Sequence, residues 1–336
     1  MKKRLAFYVF WEKEGIVRDY VSYYLEELKK VAEDILVIAN GGVNKEGIFK
    51  LENIGVEVFE RENHGIDFGA WKAAFEYKGW DEVGNYDQVI LCNCSTYGPV
   101  FPFQEMFDEM EKRFCDFWGI SRHPAKQKFL VPDNPNSLIL EHLQSYFLVL
   151  NANVVNSDSF RKWWETLVPT DSYEEEIGFH ETKFTDYLER FGFKSESYIN
   201  LEKYKRIIHD GDVTRQLSAD ILIDDKSPLI KRKALIEYID SGKGGKFGIF
   251  DIIPFLRKNT GYPVDYIEND LSLEINEYNK NFDNLISGSP DIEFLKYKFL
   301  SKIAFGDFRG KVREKYSAIK VAKKRMENLR NILNQF

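Results

Sequence analysis

The chain has 336 residues, 43% of them hydrophobic and 15% aromatic, and a formal net charge of −7. That length and apolar content suit one large domain, or one domain with an appendage, and the negative balance argues against a general nucleic-acid binder. Three cysteines are an odd, sparse count that fits a reducing compartment. The apolar run after Met1-Lys2-Lys3-Arg4 is too short for a signal peptide and breaks at Glu12, and no stretch reaches the roughly 20 apolar residues of a membrane span. The chain therefore reads as cytoplasmic.

In chain order, Leu5 to Trp11 is a near-continuous apolar run, as expected of a strand buried on both faces. Helical spacing follows through Val17, Val21, Leu25 and Leu28. Asp34 to Asn40 is a second buried strand, stopped by Gly41-Gly42, and Val56 to Glu60 a third. A helix from Asp67 to Trp80 leads to a fourth strand, Asp87 to Cys94, and then to Ser95-Thr96-Tyr97-Gly98-Pro99. Phe103 to Phe114 reads as helix and Asp116 to Ser121 as strand, and the aperiodic stretch from Pro124 to Pro135 as a loop over the site. His142 to Leu150 reads as a strand, Ser157 to Leu167 and Tyr173 to Phe191 as helices, and Lys194 to Ile199 as a short strand.

Strands alternating with helices predict a mostly parallel, Rossmann-like α/β sheet flanked by helices, over residues 1–225. From 226 to 336 the texture becomes charged and helical, with segments at Leu229 to Ile239, Phe250 to Lys258 and Ile292 to Ala304. The last segment, 311–333, is a basic amphipathic helix. Such a helix either lies on an anionic membrane surface or packs on its own domain with a solvated charged face.

The stretch Arg61-Glu-Asn-His-Gly-Ile-Asp-Phe-Gly-Ala-Trp71 stands at a strand-to-helix junction, where open α/β sheets hold ligands. Gly65 and Gly69 allow close backbone approach or φ > 0. Asp67 can cap the following helix or bind a ligand hydroxyl. The ends of the first four strands, with Trp11, Asn40, Asn63 to Asp67 and Asn93 to Tyr97, fall along one sheet edge and can line a single crevice. No Gly-x-Gly-x-x-Gly follows the first strand and no Walker loop occurs, which disfavours dinucleotide and ATPase chemistry.

Taken together, Arg61-Glu-Asn-x-Gly-x-Asp-Phe-Gly-Ala-Trp71, Asn93-x-Ser-x-Tyr-Gly-Pro99, Asp116-Phe-Trp-Gly-Ile120, His142-Leu-Gln-Ser-Tyr-Phe147, Glu176-Ile-Gly178 and Pro228-Leu-Ile-Lys231 resemble, in order, the rhamnan synthesis protein F family of bacterial glycosyltransferases. The resemblance covers about residues 1 to 240. It implies a GT-A-like fold and inverting transfer of a deoxyhexose or hexose, typically L-rhamnose from dTDP-rhamnose or a UDP-sugar, to a lipid-linked cell-surface or capsular glycan. A lipid-linked acceptor favours a peripheral place on the inner membrane face.

On that reading Arg61, Asn63, Gly65, Asp67, Asn93, Ser95 and Tyr97 contact the donor, with Lys231 and Arg232 neutralising its diphosphate. His142, Gln144 and Ser145 contact sugar or acceptor hydroxyls. Glu176, or after it Glu175, removes the acceptor proton. Many GT-A enzymes close the fourth strand with acids that hold Mg²⁺ or Mn²⁺, hard cations that take oxygen ligands. Here Cys94 stands in the Asn93-Cys94-Ser95 segment where the family commonly has an acid, which places metal dependence in doubt. Cys92 and Cys94 without partners are a weak zinc signal. Cys94 also favours a rival reading, a non-catalytic nucleotide-sugar-binding subunit of a polysaccharide assembly complex.

Overall fold

Seven strands build the central sheet: β1 (Arg4–Phe10), β2 (Asp34–Asn40), β3 (Glu57–Arg61), β4 (Gln88–Asn93), β5 (Phe117–Gly119), β6 (Phe147–Asn151) and β7 (Ser195–Ser197). They lie in the order β7-β5-β6-β4-β1-β2-β3. This computed structural model describes residues 2–132, 134–204, 213–236, 247 and 251–274. The basic segment 311–333 and the segment Ile292 to Ala304 lie outside the described residues.

β4, β1, β2 and β3 run parallel, β6 is antiparallel to both β4 and β5, and β7 is parallel to β5. The sheet is therefore the mostly parallel, helix-flanked α/β architecture expected. β1 is buried along its whole length, and its side chains divide by alternation. Ala6, Tyr8 and Phe10 enter one apolar cluster with Tyr20, Tyr24 and Leu28 of α1 (Asp19–Leu28). Leu5, Phe7 and Val9 enter the other, with Phe68, Trp71 and Phe75. Leu229, Leu235, Ile252, Leu256 and Ile267 join the first cluster, so the described residues after 226 pack on the same core as β1.

Four local features depart from the sequence reading. A helix, α2 (Lys45–Ile54), fills the β2–β3 connection, with the Asn44 side chain accepting from the Gly47 N–H at 2.7 Å and Gly55 in the left-handed conformation beyond its end. The single strand expected from His142 to Leu150 is split: His142–Leu143 pairs with Arg122–His123, while Phe147–Asn151 belongs to the main sheet. The stretch from Pro124 to Pro135, expected as a loop, holds a short strand, Lys126–Phe129, that pairs antiparallel with Leu138–Ile139 just beyond it. α3 (Ile66–Lys78) follows β3, and the helix expected from Tyr173 is interrupted by a π turn, Glu176–Glu181, before α4 (Thr182–Arg190). No described helix is long and apolar enough to cross a membrane.

Candidate functional site

Strand order reverses between β1 and β4, because the chain adds β2 and β3 on one side of β1 and returns to place β4 on the other. Ligands of open α/β sheets bind outside the carboxyl ends of the strands at such a switch point. Trp11 lies there, just beyond β1, and is 53% exposed. Across from it, Asn93 ends β4, and its Nδ2 donates to Asp67 Oδ2 at 2.7 Å. That bond joins the first turn of α3 to the end of β4. Asn93 Oδ1 accepts from the Ser95 N–H at 3.1 Å and from Ser95 Oγ at 2.6 Å, so both acceptor positions of its oxygen are taken.

The loop from Arg61 to Asp67 is held from two sides. Arg61 donates to Asn40 Oδ1 at 2.7 Å and to the His64 carbonyl at 2.8 Å, and Asn40 Nδ2 donates to the Ile66 carbonyl at 3.2 Å. Asp171 accepts from the Gly65 N–H at 2.7 Å and lies 2.9 Å from His64 Nδ1. Gly65 has φ +76, and a Cβ there would stand 2.5 Å from Pro169 Cβ. A Cβ on Gly69 would meet the His64 carbonyl oxygen at 2.9 Å. Both glycines are thus required by packing of the loop onto Pro169 and the helix start. Ile66 has φ +45, a left-handed conformation that a β-branched residue adopts only when its surroundings force it. Strain of this kind concentrates at ligand-binding loops. Asn63 is exposed.

Asp67 is half-buried, and burial pushes its carboxyl up to about 7, with the nearby Glu176 charge adding and the Asn93 hydrogen bond opposing. An acid whose folded value is raised holds its proton after the unfolded chain has lost it, so its contribution to stability falls as pH rises from the ordinary 3.8 toward about 7. Asp67→Asn keeps an acceptor for Asn93 and removes this dependence. Its melting temperature should exceed that of the wild type at pH 8 by more than at pH 4, as differential scanning fluorimetry across pH would show. Equal differences at both pH values would mean that Asp67 titrates normally.

Glu176, the expected base, is 4% exposed. Its Oε1 accepts from the Phe68 N–H at 2.8 Å and its Oε2 lies 2.7 Å from His180 Nδ1. Burial raises its carboxyl, and the His180 and Phe68 hydrogen bonds pull it back. In this arrangement it fastens the π turn to α3. Glu175 accepts from Thr170 Oγ1 at 2.5 Å. The residue that the sequence reading passed over is Glu181. It is half-buried, and its Oε1 accepts from both the N–H and the Oγ of Ser145 at 2.8 Å. Its charge acts on both Asp67 and Glu176. Asp67, Glu176, Glu181 and Ser145 therefore converge.

Four further candidates are engaged in packing. Tyr97 is fully buried and donates to Asp270 Oδ2 at 2.6 Å. Arg232 pairs with Asp270 at 2.8 Å and Glu274 at 3.1 Å. His142 stacks on His123 with ring centroids 5.1 Å apart and lies 2.7 Å from the Leu140 carbonyl, and Gln144 Oε1 accepts from Ser121 Oγ at 2.8 Å. Lys231 is half-exposed, in a two-residue strand paired with Thr96–Tyr97, and its Nζ lies 4.3 Å from the centre of the Tyr146 ring. Among the described residues, no group of three His, Cys, Asp or Glu side chains is arranged to hold a metal ion. The β4 end does not fit a hard divalent cation: Asn93 is spent on its neighbours, and Cys94 Sγ is a soft donor lying 3.5 Å from the Trp11 N.

No curated protein matches this chain. Among solved structures it is similar to a cytidylyltransferase from Leptospira borgpetersenii at 14% identity, over 76% of this chain and 94% of that one, with a TM-score of 0.36. It is similar to S. aureus TarS at 11% identity, over 99% of this chain and 55% of that one, with a TM-score of 0.34. It is also similar to glucosyl-3-phosphoglycerate synthase from Mycobacterium tuberculosis at 8% identity, over 46% and 58% respectively, with a TM-score of 0.31. The chain thus spans little more than half the length of the last two. The model of one family, rhamnan synthesis protein F, matches residues 35–298, well over half of the sequence, and the chain belongs to that family.

Proposed function

We propose that the protein is a glycosyltransferase of GT-A type that moves L-rhamnose, or another deoxyhexose or hexose, from a nucleoside-diphosphate donor to a lipid-linked cell-surface or capsular glycan, with inversion. The observation that carries the reading is the Asp67–Asn93 hydrogen bond. It draws the strained loop and the end of β4 together at the strand-order switch point, in a chain whose family is named for rhamnan synthesis. On this reading Asp67, Ser95 and exposed Asn63 meet the donor, and Arg61 and Gly65 shape the loop that presents them.

Inverting transfer is one displacement. The acceptor oxygen bonds to the anomeric carbon as the bond from that carbon to the diphosphate oxygen breaks, and the acceptor proton passes to a carboxylate. Glu181 suits that last role, because one oxygen is fixed by Ser145 while no described group engages the other. Ser145 then sits beside the acceptor, as the sequence suggested.

Incubating the full chain with dTDP-, UDP- and GDP-linked sugars and a lipid-linked glycan acceptor tests the proposal. We expect nucleoside diphosphate to be released with at least one donor, and more of it when acceptor is present. Donor binding without any release would instead support the non-catalytic subunit that Cys94 suggests.

A further inference from the structure

Three arginine and lysine side chains stand near the end of β4, and the structure separates them. Arg18 pairs with Asp270 at 2.7 Å and with Glu12 at 3.5 Å. Arg232 pairs with the same Asp270 and with Glu274, and Asp270 itself is 2% exposed. Their charges are cancelled inside a network that ties the later helices to Tyr97. Lys231 differs. Among the described residues no carboxylate pairs with its ammonium, which rests over the Tyr146 ring. Its backbone is in register with Thr96, one residue beyond Ser95, and the Arg232 N–H donates to the Ser95 carbonyl at 3.0 Å. Its charge reaches the Asp67 carboxyl, lowering the proton affinity that burial raises.

A diphosphate leaving group needs positive charge where the negative charge develops. β4 ends at Asn93, followed by Cys94, with no acid of its own, and among the described residues no group of three His, Cys, Asp or Glu side chains is arranged to bring that charge as a divalent cation. We infer that Lys231 supplies it: the ammonium binds the donor's diphosphate directly, and transfer proceeds without a resident metal. The inference rests on the nucleotide-sugar reading above. As the anomeric carbon–oxygen bond breaks, its electron pair stays on the departing diphosphate oxygen, facing the Lys231 ammonium. The acceptor proton goes to the carboxylate, so no other reactant is needed. The Tyr146 ring holds the ammonium in place by a cation–π contact without cancelling its charge, as a carboxylate would.

The test is isothermal titration of the full chain with dTDP, UDP and GDP, and with the matching nucleosides, once in EDTA and once with Mn²⁺. At least one nucleoside diphosphate should bind in EDTA nearly as well as in Mn²⁺. Lys231→Gln, a change at a half-exposed site, should weaken that diphosphate by about tenfold or more, as expected for loss of a charge-assisted bond, and leave the nucleoside unchanged. A diphosphate that binds only with Mn²⁺ would overturn the assignment, and that arm uses wild-type protein alone. Wild-type-like diphosphate binding by Lys231→Gln would overturn it as well. If no nucleoside diphosphate binds in either condition, the nucleotide-sugar reading itself fails, and this inference with it.

Discussion

Glu181→Gln is expected to lower kcat by about 10²- to 10⁴-fold, the usual worth of a positioned general base, while donor binding stays close to wild type. Glutamine keeps the size of the side chain and can still accept the two Ser145 hydrogen bonds that fix it. It cannot take a proton. The loss should therefore fall on kcat rather than on donor affinity, and the ascending limb of the pH–rate profile should disappear. Single-turnover assays at several pH values would read both. Glu176→Gln is the informative control, because glutamine can still accept from the Phe68 N–H. If Glu176→Gln lost turnover and Glu181→Gln kept it, the proton would go to Glu176, as the sequence alone suggests.

Glu176→Ala should act on stability. It leaves the Phe68 N–H and the His180 ring without their buried partner, between the π turn and α3. Removing one side of a buried polar pair costs about 3 kcal/mol, which for a chain of this size lowers Tm by roughly 5–10 °C. Phe68 lies in the apolar cluster with Trp71, Trp164 and Phe184, so the disturbance reaches the core under α3. The same substitution removes a charge that raises the Asp67 carboxyl, which should move Asp67 toward its ordinary range. Thermal melting measures the first effect, and the pH dependence of melting, compared with Asp67→Asn, the second. An alanine variant that melts like the wild type would show that the π turn does not depend on this contact.

The layout of the sheet was legible because its signals are local. Apolar runs marked β1, β2 and β4, and helical spacing marked α1 and α3, so strand ends and their polar residues could be placed on one edge. The helix Lys45–Ile54 carries local signals too, Asn44 before it and Gly55 after it, but the sequence reading passed from the Gly41-Gly42 stop straight to the third strand and assigned nothing between them. The partners of the site residues were not legible. Tyr97 and Arg232 look like ligand contacts in sequence, yet Asp270, 173 residues beyond Tyr97, draws both into packing. Glu181 was missed for a geometric reason. Residues five apart on an α-helix point about 140° away from each other, so Glu176 and Glu181 would not share a site. The π turn closes at that spacing instead and brings both toward Asp67. The glycines of the loop after β3 carried a double meaning: the close approach they permit is to Pro169 and to the loop's own backbone.

Sugar transfer by the full chain is read from the mass of the acceptor after incubation with nucleotide sugar, with the anomeric configuration of the new bond assigned by NMR. The acceptor should become heavier by one sugar residue, joined with inversion, with release of a matching amount of free nucleoside diphosphate. An unchanged acceptor with intact donor across dTDP-, UDP- and GDP-linked sugars would contradict sugar transfer.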